Sequence, residues 1–242
     1  MIRPTVYQSL RREDLACLVA AIHRGNAAAA RSAARALESG AVHEVLDAPE
    51  ALEAVRGYGG APPPLPLTLL WYIPVRATLR ARGEHDIALA DFTASIPLAF
   101  LHTTATEVTH SGERGIAAWW RAVAGLPEGS RVRAERASRC GALALWWSGC
   151  FPQHVERRGG RGMIRAYIGF GASMLWETAR LVEADGSTLA ALYRRAAEQV
   201  ELLWEALQST AAAYLGPDAH TPEGRLSRYL EHLGETFDPM AN

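Results

Sequence analysis

The sequence predicts an all-α fold, a multi-helix bundle packed around one central apolar helix, and three observations carry that prediction. No segment of useful length alternates apolar and polar residues with β-branched enrichment, so strands find no support. Between Ser187 and Leu215 the apolar residues Leu189, Leu192, Tyr193, Ala196, Val200, Leu203, Trp204, Leu207 and Ala211 step by three and four, the period of one helix face. The stretch Gly141–Cys150 is apolar on every side and is stopped by Pro152; a helix without a polar face belongs in the middle of a bundle.

The elements follow in chain order. Glu13–His23 and Ala27–Leu37 read as short Ala-rich helices parted by Gly25 and Asn26, and Gly40 is a natural stop. Pro49 suits the first turn of a helix to Arg56. The Gly- and Pro-rich stretch 57–66 then reads as a linker between an N-terminal helical subdomain, 1–56, and a main bundle, 67–242. Leu67–Arg82 is helical in character with Pro74 inside it, which predicts a kink or a restart. Asp86 can cap Ile87–His102, itself bent near Pro97. The polar run Thr103–Gly112 reads as a loop, Ile116–Ala124 as a short helix, and Ser130 as the cap of the long helix through Cys150. One or two turns follow Pro152; then come Met163–Val182, with Gly169, Gly171 and Ala172 as a close-packing face, the Ser187–Leu215 helix, and a last helix opened by Thr221-Pro222-Glu223.

Composition narrows the functional classes. Of 242 residues 49% are hydrophobic and 21% charged, an ordinary globular balance, and the formal net charge of −1 gives no global field toward nucleic acid or acidic lipid. All 25 basic residues are arginine, scattered rather than clustered, as in the product of a GC-rich genome. Eight arginines between Arg131 and Arg165 face only Glu135 and Glu156, a local net of +6, while the chain from Glu177 onward is acidic. These two parts can neutralise one another, and no nucleic-acid reader motif accompanies the basic one. Cys17, Cys140 and Cys150 form no CxxC pair, which argues against a disulfide framework or a zinc site and suits a reducing cytoplasm. The longest apolar runs fall well short of the roughly 20 residues of a membrane span, and no signal-peptide core opens the chain. The expectation is a soluble cytoplasmic protein without a cofactor, with a protein partner or self-association in place of a membrane or nucleic acid.

Chemical motifs are sparse. A di-iron bundle needs Glu-x-x-His twice, because that spacing sets both ligands on one helix face. A single instance occurs, Glu107 to His110, in a polar Thr-rich stretch. Gly169-Phe170-Gly171-Ala172-Ser173 has neither the lysine of a phosphate loop nor the order of a nucleophile elbow. The notable polar residues are Arg76 and Asp91, each inside an apolar helical stretch. Folding the two helices back about Gly83 brings them to comparable distances from the turn, where they could pair. Such a buried pair either fixes helix register or meets a ligand. Trp119-Trp120 and Trp146-Trp147 read as core bulk.

Val75-Arg76, Leu89-Ala90-Asp91-Phe92, Ser148-Gly149-Cys150-Phe151-Pro152 and Tyr167-Ile168-Gly169 together resemble a family of bacterial all-helical proteins of unknown function, over about Leu67–Arg180. The chain departs from that pattern at Ala77, where a histidine is expected, and at Cys150, where leucine is usual. The resemblance implies an all-helical fold and supplies positions worth testing rather than a function. Two functions are therefore carried forward. The first is a non-enzymatic interaction or accessory protein acting through helix faces, with the amphipathic Ser187–Leu215 helix as its dock. The second is a small-molecule-binding or enzymatic bundle whose pocket holds Arg76 and Asp91 among Trp71, Tyr72, Trp146 and Tyr167.

Overall fold

A computed structural model describes residues 1–58, 65–101, 116–160, 162–184 and 186–214. Among them every element is a helix: α1 (Val6–Ser9), α2 (Arg12–Gly25), α3 (Ala27–Glu38), α4 (Val42–Leu46), α5 (Pro49–Arg56), α6 (Leu67–Ala81), α7 (Ile87–Leu101), α8 (Ile116–Ala124), α9 (Arg131–Cys150), α10 (Pro152–Gly159), α11 (Met163–Ala184), α12 (Leu189–Glu198) and α13 (Val200–Tyr214). The all-α bundle is thus the fold. The expected Thr103–Gly112 loop and the helix after Thr221 lie outside the described residues, as do Glu107 and His110. No helix among those described is long and apolar enough to cross a membrane.

Local chemistry sets the helix ends. Asn26 accepts from the Ala28 and Ala29 amides at 3.1 and 3.0 Å, and Asp86 from those of Ala88 and Leu89 at 2.8 and 3.2 Å. Ser130 caps α9 through the Arg133 amide at 3.2 Å. These side chains take up amide groups that a helix start leaves without partners. Gly83 adopts φ +81° in the turn between α6 and α7, a conformation open to glycine. Both α6 and α7 run unbroken through their buried prolines, so Pro74 causes no restart.

The long helix after Ser187 is in fact two. α12 ends at Glu198, Gln199 intervenes, and α13 begins at Val200; the shared apolar period hides the break. Its stripe, including Tyr193, Ala196, Leu203 and Leu207, is buried in the main core. That face is therefore occupied, and cannot be the dock expected of it.

α9 is the centre. Its residues Ala142 to Trp146 are all buried, against α7, α8, α11 and α13. Two glycines let neighbours come this close. A Cβ on Gly141 would stand 3.1 Å from the Met174 Cβ and 3.2 Å from the Gly171 carbonyl of α11. A Cβ on Gly149 would stand 2.9 Å from the Leu207 Cβ of α13. Gly171 belongs to this seam, whereas Gly169 faces open space. Cys140 and Cys150 are buried thiols along the same helix, and burial pushes the Cys140 thiol up to about 11. The N-terminal helices join the same apolar core: Val6, Leu18, Ile22, Leu46 and Val55 belong to one cluster with Leu69, Phe92 and Leu203.

Buried hydroxyls of Thr93, Ser148, Thr178 and Thr210 each donate to the carbonyl four residues earlier, at 2.7 to 2.8 Å. Their polarity is settled inside their own helices.

Gly149, in the last turn of α9, and Gly169, inside α11, should respond oppositely to alanine. Gly149→Ala overpacks the α9–α13 seam, whose overpacking cost of about 1–3 kcal/mol exceeds the gain in helix propensity. Gly169→Ala meets nothing and should stabilise by up to about 1 kcal/mol. Urea unfolding followed by circular dichroism reads both.

Candidate functional site

The polar centre of the bundle is built where α6 and α7 meet the N-terminal helices. Arg76 is only 5% exposed. Its guanidinium forks onto Asp47, in the bend between α4 and α5: Nε donates to Oδ1 at 2.9 Å and Nη2 to Oδ2 at 3.0 Å. The remaining Nη1 donates to the His85 carbonyl at 3.0 Å. Arg80, one turn on, reaches the Asp47 carbonyl at 3.0 Å and its Oδ2 at 3.3 Å. Burial alone would weaken the Arg76 proton, but the hydrogen bond and charge of Asp47 outweigh it and raise the guanidinium above its ordinary value. A planar fork meeting a carboxylate is the strong form of ion pair.

Asp91 is 4% exposed and looks elsewhere. Its Oδ1 accepts the amides of Val6 and Tyr7 at 2.7 and 3.1 Å, capping α1. Burial pushes its carboxyl above the ordinary 3.8, and the Tyr7 and Val6 amides only partly oppose this. The expected Arg76–Asp91 pair is therefore not formed. Each residue is compensated by a different part of the N-terminal 50 residues, and the two charges bind that region to the bundle at two points.

Tyr72 precedes Arg76 by one turn and is fully buried, and its hydroxyl has no hydrogen-bond partner among the described residues. Burial raises its pKa, with the Arg76 charge opposing and those of Asp91 and Asp47 reinforcing. Tyr7 stacks on His43 at 4.4 Å and lies 6.2 Å from Tyr72, ring to ring. Trp71 meets Trp146 edge-on at 6.0 Å, and Phe100 and Phe151 close around Trp146.

Tyr167 is not part of this group. It packs against Trp119 at 6.0 Å beside a separate cluster that includes Val123, Cys140, Phe170 and Met174. The six pocket candidates thus divide: Trp71 and Trp146 touch, Tyr72 precedes both charges in the chain and feels both, Arg76 and Asp91 turn to different partners, and Tyr167 lies with α8. A cleft of about 380 Å³ does open nearby, lined by Asp47, Arg80 and His85 with Leu52, Ile73 and Ala77. Among the described residues no three His, Cys, Asp or Glu side chains gather as metal ligands.

Sequence reasoning missed Asp47, which sits two residues before the helix-opening Pro49, and the acceptor role of Asp91 toward residues 6 and 7. It also assigned both members of the Trp119-Trp120 doublet to the core. Trp119 is half-buried, whereas Trp120 is 52% exposed.

Asp91 generates a pH test. Its native pKa lies above its unfolded one, so the native state holds that proton more tightly. The group favours folding most below the ordinary aspartate range and less as pH climbs through its raised value. Asp91→Asn keeps Oδ1 and removes the titration. Wild type should therefore lose stability relative to Asp91→Asn as pH rises from about 3.5 to about 7.5. Urea midpoints of the two proteins across that range check it, and a flat difference would refute it.

No protein-family model, curated protein or solved structure matches this chain, so what it does rests on these residues and their geometry.

Proposed function

We propose that this chain is a non-enzymatic interaction protein that works through exposed helix faces. One observation carries the reading: the large indoles of Trp120 on α8 and Trp176 on α11 are 52% and 44% exposed. An exposed tryptophan combines a broad apolar face with one donor, the chemistry enriched at centres of protein contacts. Around Trp176 the α11 surface carries Gly169, Ser173 and Arg180, all exposed and spaced by four, three and four. Small residues there leave room for a partner to approach the helix backbone. Arg76 and Asp91, the residues best suited by type to handle a ligand, are turned to the protein itself, Arg76 to Asp47 and His85 and the Asp91 Oδ1 to Val6 and Tyr7.

A second reading, a small-molecule-binding or enzymatic bundle, draws on the cleft beside Asp47, Arg80 and His85. There Arg80, 37% exposed at its side chain, would meet the ligand in place of Arg76 and Asp91.

A photo-crosslinking residue at position 176, in the full chain produced in its own host, should give a discrete protein adduct. The same residue at exposed Ala191 of α12 should not. Equal yields at the two positions would contradict the helix-face reading.

A further inference from the structure

Residues 2–7 cross the bundle in a way that no other described segment does. The Ile2 amide donates to Ser138 Oγ of α9 at 2.9 Å, and the Ile2 carbonyl accepts from the Tyr193 hydroxyl of α12. Tyr193 has one proton, so with it on Ile2 the Ser138 hydroxyl donates to Tyr193 at 2.9 Å. Further along, the Thr5 amide donates to Ser95 Oγ of α7 at 3.2 Å, and Val6 and Tyr7 donate to Asp91.

Four buried polar side chains from three helices thus converge on one short stretch of main chain. Ser95 also donates to its own helix, at the Asp91 carbonyl at 2.8 Å, as Thr93, Ser148, Thr178 and Thr210 do in theirs; what sets the four apart is that each also meets the main chain of residues 2–7. The segment supplies two aliphatic anchors, Ile2 at 8% and Val6 at 1% exposure, while Arg3, Thr5, Gln8 and Ser9 face outward. Its only helix, α1, is a single turn, too short to persist without the groove beneath it. The segment buries two aliphatic side chains and stacks Tyr7 on His43, few contacts beside those of the central helices, which places it among the parts of a fold that open locally before the whole.

We infer that the groove between α7, α9 and α12 is a binding site for an extended peptide, occupied in cis by residues 1–9. Its ligand class is a main chain with two aliphatic side chains four residues apart, ending in a turn whose amides reach Asp91. Main-chain hydrogen bonds supply affinity and the two aliphatic seats supply selectivity, as in other modes of extended-peptide recognition. The inference goes beyond the helix-face reading and is independent of it, because neither Trp120 nor Trp176 takes part.

The test uses the full chain and a fluorescein-labelled peptide with the sequence of residues 1–9, read by fluorescence anisotropy. In wild type the cis segment competes. In Ile2→Asp/Val6→Asp it is weakened, so the peptide should bind this variant about tenfold tighter or more. Adding Asp91→Ala should abolish that binding, and a peptide carrying the two aspartates should bind neither protein. Equal affinity for wild type and variant, or binding that survives Asp91→Ala, would overturn the inference. Native-state hydrogen exchange on the wild-type chain keeps the proposal testable even if the variant does not fold. The Val6 and Tyr7 amides should exchange about a hundredfold faster than those of Leu145 and Trp146; equal rates would overturn it.

Discussion

An arginine and an aspartate inside an apolar bundle must each be compensated, and that constraint decides how the N-terminal helices of this chain, up to Arg56, attach to the rest. An uncompensated buried charge costs several kcal/mol, an appreciable share of the whole stability of a domain. Arg76 is satisfied by the carboxylate of Asp47 and the carbonyl of His85, and Asp91 by the amides of Val6 and Tyr7. The α6–α7 hairpin thereby holds α1 through one charge and the α4–α5 bend through the other. A third tie runs the other way. Glu84, at the base of the hairpin, accepts from Arg195 of α12 at 2.7 Å and from the Asp86 amide at 2.9 Å.

Beneath these ties lies a core that depends on close approach. The second half of α9, from Gly141, is apolar all round and enclosed, and it can be enclosed because Gly141 and Gly149 admit α11 and α13 to near contact. Tertiary packing, rather than intrinsic propensity, is what stabilises such helices. The periphery is secured more locally. Arg133 reaches Glu177 at 2.8 Å, a pair between the basic and acidic parts of the chain, while Arg194 turns to Glu183 rather than to Glu198, its neighbour four residues on. The contrast between a tightly enclosed α9 and a lightly anchored first segment separates the part of the molecule that gives it its fold from the part that can open.

The fold was largely legible in the sequence because helix periodicity and cap chemistry are local. Asp86 and Ser130 cap where their positions predict, and the apolar run ending at Pro152 is the central helix. What was not legible is what depends on long-range geometry. Arg76 and Asp91 stand out as charges in apolar surroundings, yet the sequence does not reveal which distant residue compensates each. Symmetry about Gly83 makes a mutual pair plausible, while the real partners lie in a region that reads as a separate appendage. The break at Gln199 is hidden for a related reason: the apolar stripe continues through it, so periodicity sees one helix where the backbone makes two. Composition cannot tell Trp119 from Trp120, since only the placement of α8 against α9 and α11 decides which indole is covered.

In this account the buried charges are anchors, and contact with other molecules belongs to surfaces and grooves that the anchors hold in place. The claim that Arg76 and Asp91 serve separate attachments is tested most directly by two double-mutant cycles in urea unfolding. The account predicts a coupling of about 2 kcal/mol or more between Arg76→Met and Asp47→Asn, since removing both charges spares what removing one exposes. Between Arg76→Met and Asp91→Asn it predicts a coupling within about 0.5 kcal/mol of zero. A strong Arg76–Asp91 coupling with a negligible Arg76–Asp47 one would contradict it.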